Sequence, residues 1–116
     1  MRLVDSNSPV TVSELSEMSA RMFGGLVKAV VDVKREMMVV DAELHSDQEQ
    51  ELMENGSEQL DVWGINLYPE LFGTEDFIEF DSMINIRPTE GNRSRDVEDP
   101  GLRVRITQIV GKLVTA

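Results

Sequence analysis

Two short apolar runs on either side of a polar turn constrain the fold of this chain more than any other feature. Residues 26–42 read LVKAVVDVKREMMVVDA, with the runs LVKAVVDV and MMVVDA separated by KRE. In the first run Val27, Ala29 and Val31 alternate with other residues, as in a strand with one buried face. The second run is also rich in apolar, β-branched residues. The stretch therefore predicts a β-hairpin.

Helical spacing and residues suited to helix ends predict three helices. The first covers about 12–23, and Thr11 with Glu14 fits a capping box at its start. The second follows a similar pair, Ser46 with Glu49, and closes at an Asn-Gly pair. The third begins after Asp99-Pro100, an N-cap residue followed by a proline at the first helical position. Its apolar stripe consists of Leu102, Ile106, Ile109, Val110 and Leu113.

Two further strands are predicted between the second and third helices. In the first, at 60–69, one face carries Trp63, Ile65 and Leu67, and the other carries Val62, Gly64, Asn66 and Tyr68. The second covers 77–87 and is the longest predicted strand. One of its faces carries Ile78, Phe80, Ser82, Ile84 and Ile86, and the other carries Phe77, Glu79, Asp81, Met83, Asn85 and Arg87.

The predicted element order is α-β-β-α-β-β-α. Two hairpins that flank a helix predict an α+β fold with a four-stranded, mostly antiparallel sheet and its helices on one face. The polar side of the fourth strand leaves the other sheet face partly open. With 116 residues, one domain over 1–116 is expected, with residues 1–10 flexible.

Composition removes several functional classes. The chain has no cysteine, which excludes disulfides, zinc–thiolate sites, iron–sulfur clusters and cysteine nucleophiles. The same feature favours a cytoplasmic location. No apolar run approaches the roughly 20 residues that span a bilayer, so membrane insertion is not expected. The net charge of −11 favours solubility and opposes nonspecific binding of nucleic acid, which is not expected as a partner.

Three groups of residues form distinctive motifs along the chain. They are ELHSD at 43–47, GSEQLDVWG at 56–64 and INIRPTEGNRS at 84–94. Over nearly its whole length the chain resembles a family of short prokaryotic proteins classed as a domain of unknown function. The resemblance implies a small cytoplasmic α+β domain, and it implies no activity.

Three ionisable residues are catalytic candidates. His45 is the only histidine, and a carboxylate could orient it as a general base. Glu79 and Asp81 lie at i and i+2 on one strand face, about 7 Å apart by strand geometry, where they could hold a divalent cation or divide acid and base roles. The structural interpretation is that His45 bonds locally at a helix start and that the two acids lie on a solvated sheet face.

Amides and arginines gather where the predicted fourth strand meets the 85–95 loop. The cluster consists of Asn85, Arg87, Asn92, Arg93 and Arg95, and Asn66 with Tyr68 would line the same open face. Arginine offers a rigid donor fork that suits carboxylate or phosphate. The alternative is that these arginines pair with local acids and fix the loop.

The leading functional hypothesis is a non-enzymatic binding or regulatory domain. Its ligand-binding residues would be Asn66, Tyr68, Asn85, Arg87, Asn92 and Arg93, and they would hold a small anionic ligand or a segment of a partner protein. One alternative is a small metal-assisted hydrolase or nuclease-like enzyme with His45, Glu79 and Asp81 at its centre. Another is a structural domain that associates with itself. No cofactor is predicted, although Glu79 and Asp81 are compatible with a divalent cation.

Overall fold

An antiparallel sheet of five strands organises the chain in a computed structural model that describes residues 1–116. The spatial order is β1-β4-β3-β5-β6. These strands are β1 (Arg2–Val4), β3 (Val27–Asp32), β4 (Met37–Val40), β5 (Val62–Leu67) and β6 (Ile78–Glu79). A separate parallel pair joins β2 (Val10–Thr11) to β7 (Val114–Thr115). The α+β class and the largely antiparallel sheet are confirmed, with five strands instead of four.

Helices cover both faces of the sheet. They are α1 (Val12–Arg21), α2 (His45–Glu54) and α3 (Pro100–Leu113). On one face, Ala29 and Val31 of β3 join a cluster with residues of α1 and α3. On the other face, Val30 packs with Leu52 of α2 and Val62 of β5. The prediction that all helices share one face is therefore wrong.

The two-sided core follows from the strands of the central hairpin. Every residue of β4 is buried, as is every residue of β3 except Lys28. A strand that is apolar on both sides must be covered on both sides, since an exposed row of valines would forgo the free energy of burial. Strand β3 therefore lies at the centre of the molecule, between β4 and β5.

Two of the three predicted helix starts are confirmed. Thr11 and Glu14 form the reciprocal capping box of α1. The Asp99 side chain accepts the N–H of Gly101 at the start of α3. The predicted capping box of Ser46 and Glu49 is wrong, because α2 begins at His45 with no side-chain cap.

The predicted fourth strand is largely replaced by irregular structure. Only Ile78–Glu79 pairs with β5, and a 3₁₀ turn over 83–85 follows. Ser82 starts that turn, because its hydroxyl oxygen accepts the N–H of Ile84. The chain then passes beside β5 without adding a regular strand. This path places the polar cluster of the 85–95 loop next to the outer edge of β5.

The first ten residues, predicted to be flexible, contribute to the sheet. Strand β1 pairs with β4, with Leu3 opposite Val39. Val4 and Val10 are fully buried in the main core. None of the three helices has the length and apolar character that crossing a bilayer requires.

Candidate functional site

The Asn85 side chain closes the open edge of β5. Its Oδ1 accepts the N–H of Gly64 at 2.8 Å, and its Nδ2 donates to the Gly64 carbonyl at 2.9 Å and to the Arg95 carbonyl at 3.0 Å. One amide thus makes the two hydrogen bonds that a neighbouring strand would make. Asn85 is fully buried, and both polar atoms of its side chain are engaged within the chain.

Gly64 is required by the close approach of the segment that carries Asn85. A Cβ at this position would lie 2.5 Å from the Cβ of Ser82 and 3.2 Å from a side-chain carbon of Ile84. Real Cβ atoms do not approach one another so closely, so a side chain here would displace the 82–85 turn. The motif residues Trp63-Gly64 therefore serve the packing of β5.

Arg87 is also used internally. Its Nη2 donates to the carbonyl of Val62, and its Nε donates to the carbonyl of Ile84 at 3.3 Å. The guanidinium lies 4.3 Å from the centroid of the Trp63 ring and 4.0 Å from a carboxylate oxygen of Glu49. Burial lowers the pKa of Arg87. With 9% of its side chain exposed, Arg87 stabilises the β5 edge instead of presenting a cation.

Asn92 fastens the rest of the loop. Its Nδ2 lies 2.7 Å from the carbonyl oxygens of Asn85 and Asp96, and its Oδ1 accepts the N–H of Glu98 at 2.9 Å. Arg93 is exposed and has no ion-pair partner, whereas Arg95 pairs with Asp81. The structure therefore brings the predicted cluster together. Asn85, Arg87 and Asn92 use their polar groups to hold the loop against β5 and do not form a vacant anion pocket.

The three catalytic candidates do not form a proton relay. The Nε2–H of His45 donates to the carbonyl of Ile65 at 2.7 Å, and burial lowers the pKa of His45, so that the neutral ring is favoured. Glu79 accepts from the Asn66 amide at 2.8 Å and from the Tyr68 hydroxyl at 2.9 Å. No hydrogen bond joins His45 to either acid.

The proposed cation site at Glu79 and Asp81 gains no further ligand. Asp81 accepts a hydrogen bond from Arg95 at 2.6 Å. No three histidine or carboxylate side chains in the chain are arranged to hold a metal ion. A pair of carboxylates that already accept hydrogen bonds from protein donors is a poor match to the six or more oxygen ligands of calcium or the octahedral shell of magnesium.

An open groove of about 1040 Å³ lies beside these acids, between β6 and α3. Ile78 and Phe80 line it on the sheet side, and Val104 and Thr107 line it on the helix side. The rest of its lining includes Leu71, Glu75 and Asp76 and also Ser94, Arg95 and Asp96. Val104 is 57% exposed, so the groove presents apolar surface to solvent.

The backbone of β6 faces this groove without a partner strand. The N–H of Tyr68 donates to the carbonyl of Phe77 at 2.9 Å, which directs that carbonyl toward β5. Hydrogen-bonding direction alternates along an antiparallel pair, so Ile78 directs its N–H and C=O groups away from β5. Phe80 follows the strand, and its N–H and C=O groups have no backbone partner. Strand β6 is the last strand of the sheet, and these groups are available to an added strand.

One end of this outer edge is already paired within the chain. The N–H of Ser82 donates to the carbonyl of Arg95 at 3.0 Å. The chain then turns away into α3. The segment at Arg95 thus bonds the chain just beyond Phe80, and no other segment of the chain pairs with the outer side of Ile78.

The groove is predominantly acidic. Five carboxylates and two guanidinium groups line it. Arg95 pairs with Asp81 at 2.6 Å, and Arg103 pairs with Asp96 at 3.3 Å. The carboxylates without a cationic partner are those of Glu75, Asp76 and Glu79.

Comparison with protein families identifies the relatives of the chain. Residues 4–113 match the family described as "Protein of unknown function (DUF5674)". The chain belongs to this family. No curated protein and no solved structure matches it. Membership carries no activity to the site, because the family description assigns none.

The groove residues on α3 and after β5 were absent from the sequence-based candidates. Tyr68, Glu79 and Asp81 were predicted and do line the groove, whereas Leu71 and Val104 were missed. Sequence offered one signal for Val104, an apolar residue outside the helical stripe of α3. Leu71 lies in a turn, where no periodicity distinguishes an exposed apolar residue from a buried one.

Proposed function

We propose that this protein is a non-enzymatic binding domain that holds an extended segment of a partner protein in the groove beside β6. The segment adds a strand to the sheet by hydrogen bonding to the outward groups of Ile78 and Phe80. This is strand addition at a sheet edge, in which the main chain gives affinity and side-chain pockets give specificity.

The vacant outer edge of β6 carries this proposal. An unpaired strand edge attracts other chains, and proteins commonly cover it or block it with charge. Here the edge opens into a groove whose far wall is α3, and Val104 on that wall adds exposed apolar surface. The internal pairing of Ser82 with Arg95 supplies a hydrogen-bonding register that an added strand would continue.

The same contacts weigh against the other hypotheses. Three of the residues expected to bind an anion, Asn85, Arg87 and Asn92, are engaged with backbone groups. The candidate acids and the histidine are not joined by hydrogen bonds. A second copy of this chain is an alternative partner for the β6 edge, and light scattering distinguishes such a dimer from binding of another protein. The absence of cysteine supports placing this function in the cytoplasm.

Selection of binding peptides from a random display library, followed by titration of a selected peptide, tests the proposal. Val104→Glu should weaken binding about tenfold or more, because a carboxylate would be placed on the apolar helix wall. Met83→Glu is the matched control, because Met83 is 65% exposed and does not line the groove. It should leave the affinity unchanged.

Methylation of peptide nitrogens then tests the mode of binding. Strand addition predicts that N-methyl groups weaken binding at every second position, where the peptide N–H faces β6. Sensitivity with no two-residue period, or equal effects of Val104→Glu and Met83→Glu, would contradict the proposal. Light scattering over a range of concentrations would reveal a dimer if a second copy is the partner, and its loss in Val104→Glu would place the dimer interface in this groove.

A further inference from the structure

A second, smaller cavity continues the groove beneath the segment that follows β5. Its volume is about 240 Å³, and it shares Ile78 and Phe80 with the groove. Apolar surface dominates its lining, which includes Phe72 and Phe77 in an edge-to-face pair with centroids 5.2 Å apart. An apolar cavity of about 150 Å³ accommodates benzene, so this one has room for a leucine or phenylalanine side chain.

Gly111 is an exposed glycine of α3 that borders this cavity. It lies in the last turns of α3 and lines the cavity. A glycine inside a helix costs about 0.5–1 kcal/mol relative to alanine, so it calls for a physical reason. Close packing is not the reason, because a Cβ at Gly111 would meet no heavy atom within 4 Å. Because Gly111 lines the cavity and has free space around it, a larger side chain at this position has room to extend over the cavity.

Negative charge surrounds the entrance. Glu75 lines both the groove and the smaller cavity, and Asp76 lies beside it. Neither carboxylate has a cationic partner within the chain. An occupant with lysine or arginine next to its apolar side chain would supply the missing charges, and an acidic occupant would be repelled.

We propose that the partner segment inserts one large apolar side chain into the cavity that Gly111 borders, and carries lysine or arginine beside it. This inference rests on the proposed function, since it specifies the segment that would lie along β6. It makes the cavity the anchor of the interaction, because a desolvated central side chain commonly carries most of the affinity of such an interface.

Short synthetic peptides of the form Thr-Lys-Thr-X-Thr-Lys-Thr, acetylated and amidated, provide the test, because residues two positions from X share its face of a strand. The residue X is leucine, phenylalanine or alanine, and one further leucine peptide has glutamate in place of both lysines. Binding is followed by amide chemical shifts of the isotope-labelled protein at Ile78–Asp81. Leucine or phenylalanine should bind about tenfold more tightly than alanine, and the glutamate peptide should bind most weakly.

Gly111→Leu should fill the cavity, so that the leucine peptide no longer binds more tightly than the alanine peptide. Its unfolding curve should show that the variant is folded. Gly25→Leu is the matched control, because a Cβ there also meets nothing within 4 Å and the residue lines neither cavity. Equal affinity of the leucine and alanine peptides, with shifts at β6, would overturn the anchor and leave strand addition standing. Absence of any shift at β6 at millimolar peptide would overturn both.

Discussion

The outer edges of β5 and β6 present the same backbone groups and satisfy them in different ways. Along β5, side chains replace a partner strand, as Asn85 bonds both polar groups of Gly64 and Arg87 bonds the carbonyl of Val62. Along β6, the groups of Ile78 and Phe80 face an open groove. The first edge is closed by the protein itself, and the second is available to another molecule.

This difference shows why the density of polar motif residues does not locate a binding surface. A buried backbone N–H or carbonyl must find a partner, and an amide or guanidinium side chain is suited to provide one away from regular structure. The INIRP-x-x-GNRS motif supplies such side chains where the chain abandons the strand after Glu79. The groove has no comparable motif, because open backbone groups and exposed apolar side chains need no special residue.

The largest predicted effect on stability follows from opening the closed edge. Asn85→Ala should lower the free energy of unfolding by about 3 kcal/mol, because it leaves the N–H and carbonyl of Gly64 buried without partners. Urea denaturation measures this change. Asn7→Ala is the control, since the Asn7 side chain is exposed and should contribute within about 0.5 kcal/mol. Equal effects of the two substitutions would contradict a closed β5 edge.

A smaller loss is expected at Arg87, and almost none at Arg93. Arg87→Ala should cost about 2 kcal/mol, because two carbonyls lose a donor and Trp63 loses a stacked cation. Arg87→Lys should not restore stability, since an ammonium cannot reproduce the fork and the stacking. Arg93→Ala should change stability by less than about 0.5 kcal/mol. Urea denaturation measures these changes as well. A larger loss of stability for Arg93→Ala than for Arg87→Ala would contradict the role of Arg87 in closing the β5 edge.

Stability should also fall on mild acidification because of His45. Burial lowers its pKa in the folded state, so the unfolded chain binds the proton more tightly. The stabilising contribution is therefore present above the ordinary histidine pKa and is lost as the pH falls below it, through the lowered pKa of the folded state. Lys28 and Arg95 act in the same direction as burial, and Asp81 opposes them. His45→Gln should flatten this part of the profile, and an unchanged profile would contradict a neutral buried ring.

The smallest predicted effect has the opposite sign. Gly111→Ala should raise the free energy of unfolding by a few tenths of a kcal/mol up to about 1 kcal/mol, because alanine has the higher helix propensity and its methyl group meets no other atom. Thermal unfolding at matched concentration provides the measurement. A loss of stability would show that Gly111 is required for internal packing, as Gly64 is at the β5 edge.

Much of the fold follows from local signals in the sequence. Thr11 with Glu14 marks the start of α1 and Asp99 marks that of α3, because capping depends on residues only a few positions apart. The alternation of Trp63, Ile65 and Leu67 assigns the faces of β5 correctly. The prediction that α2 shares a sheet face with α1 and α3 is wrong, although the continuous apolar runs of β3 and β4 are typical of strands buried on both faces.

The fourth strand shows what local signals lack. Its alternating apolar residues suit a strand through Ile86, yet the chain leaves the sheet after Glu79. The cause is tertiary, since Asn85 can pair with Gly64 only where a glycine permits the close approach of Ser82. For the same reason the sequence identified the polar cluster and could not tell whether its groups were free or already bonded.

Amide hydrogen exchange of the free protein tests the contrast between the two edges most directly. The N–H of Gly64 is buried and bonded to Asn85, so it should exchange only through global unfolding, at the rate of the slowest core amides. The N–H groups of Ile78 and Phe80 should exchange orders of magnitude faster, because they lack partners. Rapid exchange at Gly64, or core-like protection at Ile78 and Phe80, would contradict a closed β5 edge beside an open β6 edge.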